Sequence, residues 1–134
     1  MRTLLRSTSL ALVSLLALGS AAAAPEATHP TTTFFEEAKI SVNDRAHADG
    51  YLRVRITPEN GQGREATIVT AKHMSENDIA KTLAAALKTA VAPDFEVDRD
   101  AGEHVKIRKA KKGTPNFSVE ITFSSPGFSI VLDN

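Results

Sequence analysis

One stretch of this chain, Ser75 to Ala92 (SENDIAKTLAAALKTAVA), has a helical period, and period-two segments flank it on both sides. A lone amphipathic helix of this kind must share its core with a sheet. Ser75 is placed as an N-cap and Asp78, three residues on, as its capping-box partner, an arrangement that supplies acceptors to two otherwise orphan N–H groups. Met74 and Ile79 stand at hydrophobic-staple spacing. Ile79, Leu83, Ala86, Leu87, Ala90 and Val91 recur at three- and four-residue steps as one apolar stripe, with Lys81, Thr82, Ala85, Lys88 and Thr89 opposite. Pro93 lacks the donor a further turn would need and restricts the residue before it, so the helix stops there. At 1.5 Å per residue it is about 25 Å long.

Around this helix the apolar period is two. Ala38, Ile40 and Val42 alternate with Lys39 and Ser41. After the polar loop Asn43 to Gly50, Leu52, Val54 and Ile56 face one way and Tyr51, Arg53 and Arg55 the other. Pro58, Asn60, Gly61 and Gly63 form a turn whose Asn-Gly pair tolerates positive φ, which predicts a hairpin into Ala66–Ala71. Beyond Pro93, Phe95 and Val97 lead to a turn over Asp98–Gly102. Val105 and Ile107 then interleave with His104, Lys106 and Arg108. After the turn Ala110–Asn116, Phe117, Val119, Ile121 and Phe123 share one face against Ser118, Glu120 and Thr122, and a last short strand covers Phe128–Leu132.

Strands, one helix, then strands, joined by hairpin-length links, predict an α+β fold. Its expected form is a largely antiparallel sheet of about five to seven short strands with the helix (about 75–92) on one face. Six strands at about 4.8 Å spacing exceed 20 Å in width, whereas a helix is only about 10–12 Å across. The sheet must therefore curl around the helix, or a partner or second copy must cover the remainder.

Residues 1–23 read as a signal peptide. Arg2 and Arg6 form its basic start, Leu10–Leu18 its apolar run and Ser20–Ala24 its small-residue cleavage region, with the cut expected after Ala23. The apolar run falls short of the roughly 20 residues that span a bilayer, so no membrane span is expected. Residues 24–33 (APEATHPTTT) read as a flexible linker, and 34–134 as a single α+β domain. The mature chain has fourteen basic against sixteen acidic residues, a formal charge of −2 that implies no nucleic-acid or other polyanion binding by overall charge. The chain has no cysteine, which removes disulfides and thiolate chemistry from an exported domain. A periplasmic or secreted location is the expectation.

No pattern in the chain names a reaction. His29, His47, His73 and His104 fall in the linker, a loop, the helix approach and an outward strand position, with no HxxxH or HxH spacing to suggest zinc. Asp98, Asp100 and Gly102 match the start of a calcium loop, but the later spacing and the bidentate acid are missing. Strand alternation instead places Asp94, Glu96, Asp98 and Asp100 on one exposed face, where charge discourages edge pairing. There is no GxSxG elbow, Ser-x-x-Lys pair or phosphate-cradling glycine loop. The expectation is a non-enzymatic chain with no catalytic residues, metal or cofactor.

The most specific polar feature is a basic cluster, Lys106, Arg108, Lys109, Lys111 and Lys112, which Arg53 and Arg55 join if their strands are neighbours. Such a patch attracts lipopolysaccharide phosphates, acidic glycans or an acidic protein despite a neutral total charge. Lysines on edge strands and in turns equally serve to prevent sheet-to-sheet aggregation. Both readings stand on the sequence.

The run from Ala66 to Phe123 (ATIVTA, SENDIAKTLAAAL, FEV, HVKI and GTPNFSVEI) resembles a helix-between-hairpins module of phage-tail and bacterial surface proteins. The resemblance implies a scaffolding or contact domain and carries over no site residues. Together these readings lead to an exported domain acting by contact with a protein partner or with itself. The alternative is a module that binds an anionic envelope polymer through the basic cluster.

Overall fold

The alternating segments become strands because each has one face to bury, and each pairs with a partner that buries the same face. The computed structural model describes residues 32–125 and 129–133, which belong to one compact unit spanning Thr31–Asn134. The expected signal peptide, nearly all of the expected linker and Phe128 lie outside the described residues. Among those described, seven strands and one helix follow in order. They are β1 (Glu37–Val42), β2 (Gly50–Pro58), β3 (Arg64–Thr70), α1 (Glu76–Val91), β4 (Phe95–Asp100), β5 (His104–Lys109), β6 (Phe117–Ser124) and β7 (Ile130–Asp133). The α+β class and the antiparallel pairing agree with the sequence reading.

The strands divide between two antiparallel sheets, ordered β4-β5-β1-β7 and β3-β2-β6. Among the described residues, one antiparallel bridge, Phe35 to Phe117, links the segment just before β1 to β6, with backbone bonds of 2.7 and 3.0 Å. Helix α1 packs chiefly against β3 of one sheet and β4 of the other. This eases the width problem: two narrower sheets share one core with the helix and with each other, so the helix does not have to cover one wide sheet. Leu83 and Leu87, fully buried, lie in the same apolar cluster as Val54, Ile56, Val105 and Ile107.

The helix boundaries hold to within a residue. Ser75 Oγ accepts from Asp78 N at 3.2 Å, but it also donates to the Asp78 carboxylate at 2.9 Å. The reciprocal half of the capping box is therefore a side-chain pair, and the backbone N–H of Ser75 gains no acceptor from Asp78. At the far end Ala92 is extended, as a residue before proline prefers. Arg64 of β3 donates to the carbonyls of Val91 and Ala92 at 3.1 and 3.3 Å and to Asp94 at 2.6 Å, occupying acceptors that a helix end leaves open.

Two turns differ from their sequence reading. Left-handed φ among the described residues occurs at His73, Ala101 and Gly102, and neither Asn60 nor Gly61 is among them. The β2–β3 connection spreads the reversal over residues 59–63, with Gly61 N bonded to Pro58 O at 3.2 Å, so a two-residue positive-φ turn is not required. The expected Asp98–Gly102 turn contracts, because Ala101 and Gly102 (φ 44° and 80°) reverse the chain over a shorter span. Asp98 and Asp100 consequently stay in β4, opposite Lys106 and His104.

Candidate functional site

The cations singled out in the sequence fall into two groups that do not meet. Arg53 and Arg55 lie on β2, whose neighbours are β3 and β6. Lys106, Arg108 and Lys109 lie on β5, whose neighbours are β4 and β1. The condition for one joint cluster, adjacency of β2 and β5, is not met, because the two strands belong to different sheets. Lys111 and Lys112 are exposed in the β5–β6 turn.

Register supplies most of these cations with carboxylates. Glu37 faces Arg108 across the ladder and takes Lys106 at 2.8 Å. Arg108 meets Glu96 at 2.9 Å and Asp98 at 3.2 Å, and the hydrogen bond to Glu96 followed by its charge holds the guanidinium pKa above its usual value. Lys109 meets Glu36 at 3.2 Å and the Asn116 side-chain oxygen at 3.0 Å. On the other sheet Glu65 is shared by Arg53 and Arg55 at 3.2 and 3.0 Å, and Glu120 lies 4.0 Å from Arg55. Lys111 and Lys112 form no ion pair among the described residues. Paired cations project little net field, so the basic cluster reduces to two turn lysines.

Among the described residues, the acidic strand and the histidines gather into no metal-binding group. Glu96, Asp98 and Asp100 are exposed along β4, and Asp94 is half-buried against Arg64. His47 pairs with Asp44 at 3.0 Å, and His104 lies 3.9 Å from Glu103. Among the described residues, no group of three or more His, Asp or Glu side chains gathers to hold a metal ion. A cleft of about 450 Å³ beside the β2–β3 turn, lined in part by Pro58, Gly63, Arg64, Asp94 and Phe95, has its two charged groups already bonded to each other.

A different surface stands out, and the sequence reading missed it. Between Arg53 and Val54 the β2–β6 register shifts, so Arg53 faces Phe123 while Val54 faces Ile121. Thr122 is the extra residue of this bulge, and its hydroxyl donates to Arg53 O at 3.3 Å. The bulge breaks the alternation that would have put Phe123 inside with Ile121. Phe123 turns outward instead and stacks on Tyr51, with ring centroids 4.2 Å apart and planes 17° apart. The Arg53 guanidinium sits 5.7 Å from the centre of the Tyr51 ring. Both rings keep 39% of their surface exposed, and Val69, paired with Tyr51 across the ladder, keeps 78%.

The stack is anchored from below. Ser125 Oγ accepts from Tyr51 N at 2.8 Å and donates to Tyr51 O at 3.1 Å, while Ser125 N donates to the same carbonyl. This approach is open because residue 50 is glycine: a Cβ there would lie 1.8 Å from Ser125 Oγ. The outer face of β3-β2-β6 thus has an apolar end (Val69, Tyr51, Phe123) and a band of ion pairs (Arg53, Arg55, Glu65, Glu120). No protein-family model, curated protein sequence or solved structure matches this chain.

Proposed function

We propose that this chain is an exported, non-enzymatic domain that acts by protein–protein contact, in the periplasm or after secretion, through the outer face of β3-β2-β6. The observation that carries the reading is the bulge at Thr122, which turns Phe123 out of the core and stacks it on Tyr51. Bulges re-aim side chains at a cost to the ladder, and an exposed aromatic pair beside an arginine has the composition of an interface anchor. The resemblance of Ala66–Phe123 to contact modules points the same way. Export rests on the signal-peptide pattern of residues 1–23. The polymer-binding alternative is supported by Lys111 and Lys112, because the other five cations lie within 4.0 Å of a carboxylate.

The test compares wild-type protein with Phe123→Ser and with Lys111→Gln/Lys112→Gln as bait against periplasmic and culture fractions. Wild type and the lysine variant are expected to retain the same protein at high salt, and Phe123→Ser to lose it. Retention that survives Phe123→Ser but falls with the lysine variant and with rising salt would replace the contact reading by polymer binding. Intact-mass analysis is expected to find the amino terminus near Ala24 in those fractions, and an uncleaved cytosolic chain would overturn export.

A further inference from the structure

We infer that the partner seated on the outer face of β3-β2-β6 is a second copy of this chain, related by a two-fold axis through the Tyr51–Phe123 stack. The inference rests on the contact reading above and goes on to name the occupant. A two-fold contact lays one patch on an identical patch, so the patch must complement itself in shape and charge. This face meets the charge half of that requirement. Its charged band holds two arginines, Arg53 and Arg55, and two glutamates, Glu65 and Glu120, interlinked at 3.0 to 4.0 Å, so its formal charge cancels.

A strongly acidic or basic partner would find no net field here to steer it, whereas a second neutral face approaches without repulsion. At the other end Val69, Tyr51 and Phe123 offer apolar surface that only an equally apolar surface would cover without stranding polar groups. The face is a three-stranded sheet, and two such sheets pack aligned at about 10 Å separation. Turned about a two-fold axis that runs through the stack along the strands, the apolar end of each copy covers that of the other, and the two ion-pair bands face each other beside it.

Sedimentation equilibrium of the purified protein tests this. Wild type is expected to reach twice the monomer mass as concentration rises, and Phe123→Ser to stay monomeric with an unchanged far-ultraviolet CD spectrum. Arg53→Glu makes the face net negative and Glu65→Arg makes it net positive. Each variant is expected to be monomeric alone, and the two to dimerise when mixed. A dimer that Phe123→Ser leaves intact, or charge variants that fail to combine on mixing, overturns the two-fold contact at this face. A wild-type monomer at every concentration also overturns the inference, and the bait experiment then decides the broader reading separately. If Phe123→Ser still loses a captured protein, contact through this face stands with a different partner; if it does not, both readings fall.

Discussion

Tyr51 and Phe123 stack at 4.2 Å although strict alternation along β6 would place Phe123 on the opposite side of the sheet from Tyr51. The stack is a surface feature, and its contribution to stability is correspondingly small. An aromatic pair adds about 0.5–1.5 kcal/mol beyond area burial. Phe123→Ser is therefore expected to lower the urea midpoint slightly. Phe117 is fully buried and packs edge-on against Phe95 at 4.9 Å. Phe117→Ala should cost about 3–5 kcal/mol. Equal losses in the two titrations would place Phe123 in the core.

Gly50 and Ser125 form a second coupled pair. Gly50→Ala places a methyl 1.8 Å from Ser125 Oγ and 2.5 Å from its Cβ, so Ser125 or the start of β2 must shift. The expected cost is about 1–3 kcal/mol, typical of overpacking. Ser125→Gly removes the obstruction together with the two hydroxyl bonds to Tyr51, and leaves the backbone bond from Ser125 N. The double variant should then be less destabilised than the sum of the singles. Additive costs in a thermal-denaturation cycle would contradict the clash.

The helix stripe yields a comparison between faces. Leu83 and Leu87 are fully buried, while Lys81 and Lys88 are exposed. Leu83→Ala or Leu87→Ala should cost about 2–5 kcal/mol through lost contact and the cavity left behind. Lys81→Ala or Lys88→Ala should change stability by about 0.5 kcal/mol or less. Urea titrations of the four variants check the ordering.

Asp44 supplies the pH dependence. Its hydrogen bond from His47, then that from Arg45 N, holds the carboxyl pKa below its ordinary value. A carboxylate whose folded pKa is depressed contributes stability above its unfolded pKa and loses that contribution as pH falls through the folded value. Asp44 is fully exposed, so the loss in acid should be slight. Side-chain carboxyl NMR is expected to show Asp44 titrating below an ordinary aspartate and moving upward in His47→Ala. An unmoved midpoint would show that His47 is not the cause.

What the sequence determined by itself was local. Ser75, the spacing of Leu83 and Leu87, and Pro93 specify a helix because its period and its ends are written within a few residues of one another. The alternation in β2, β5 and the first half of β6 is equally local, and the α+β class follows from the order of such segments. Tertiary structure alone decided which strands are neighbours, since register pairs residues far apart in the chain and both sheets bury the same kind of face. That choice separated Arg53 and Arg55 from Lys106 and Arg108 and gave each a carboxylate from an adjacent strand. It also sent Arg64 to the end of α1, across 27 residues of chain. The outward turn of Phe123 belongs here too: a bulge is a mismatch between two strands, visible only when β2 and β6 lie side by side and Thr122 has no residue opposite it.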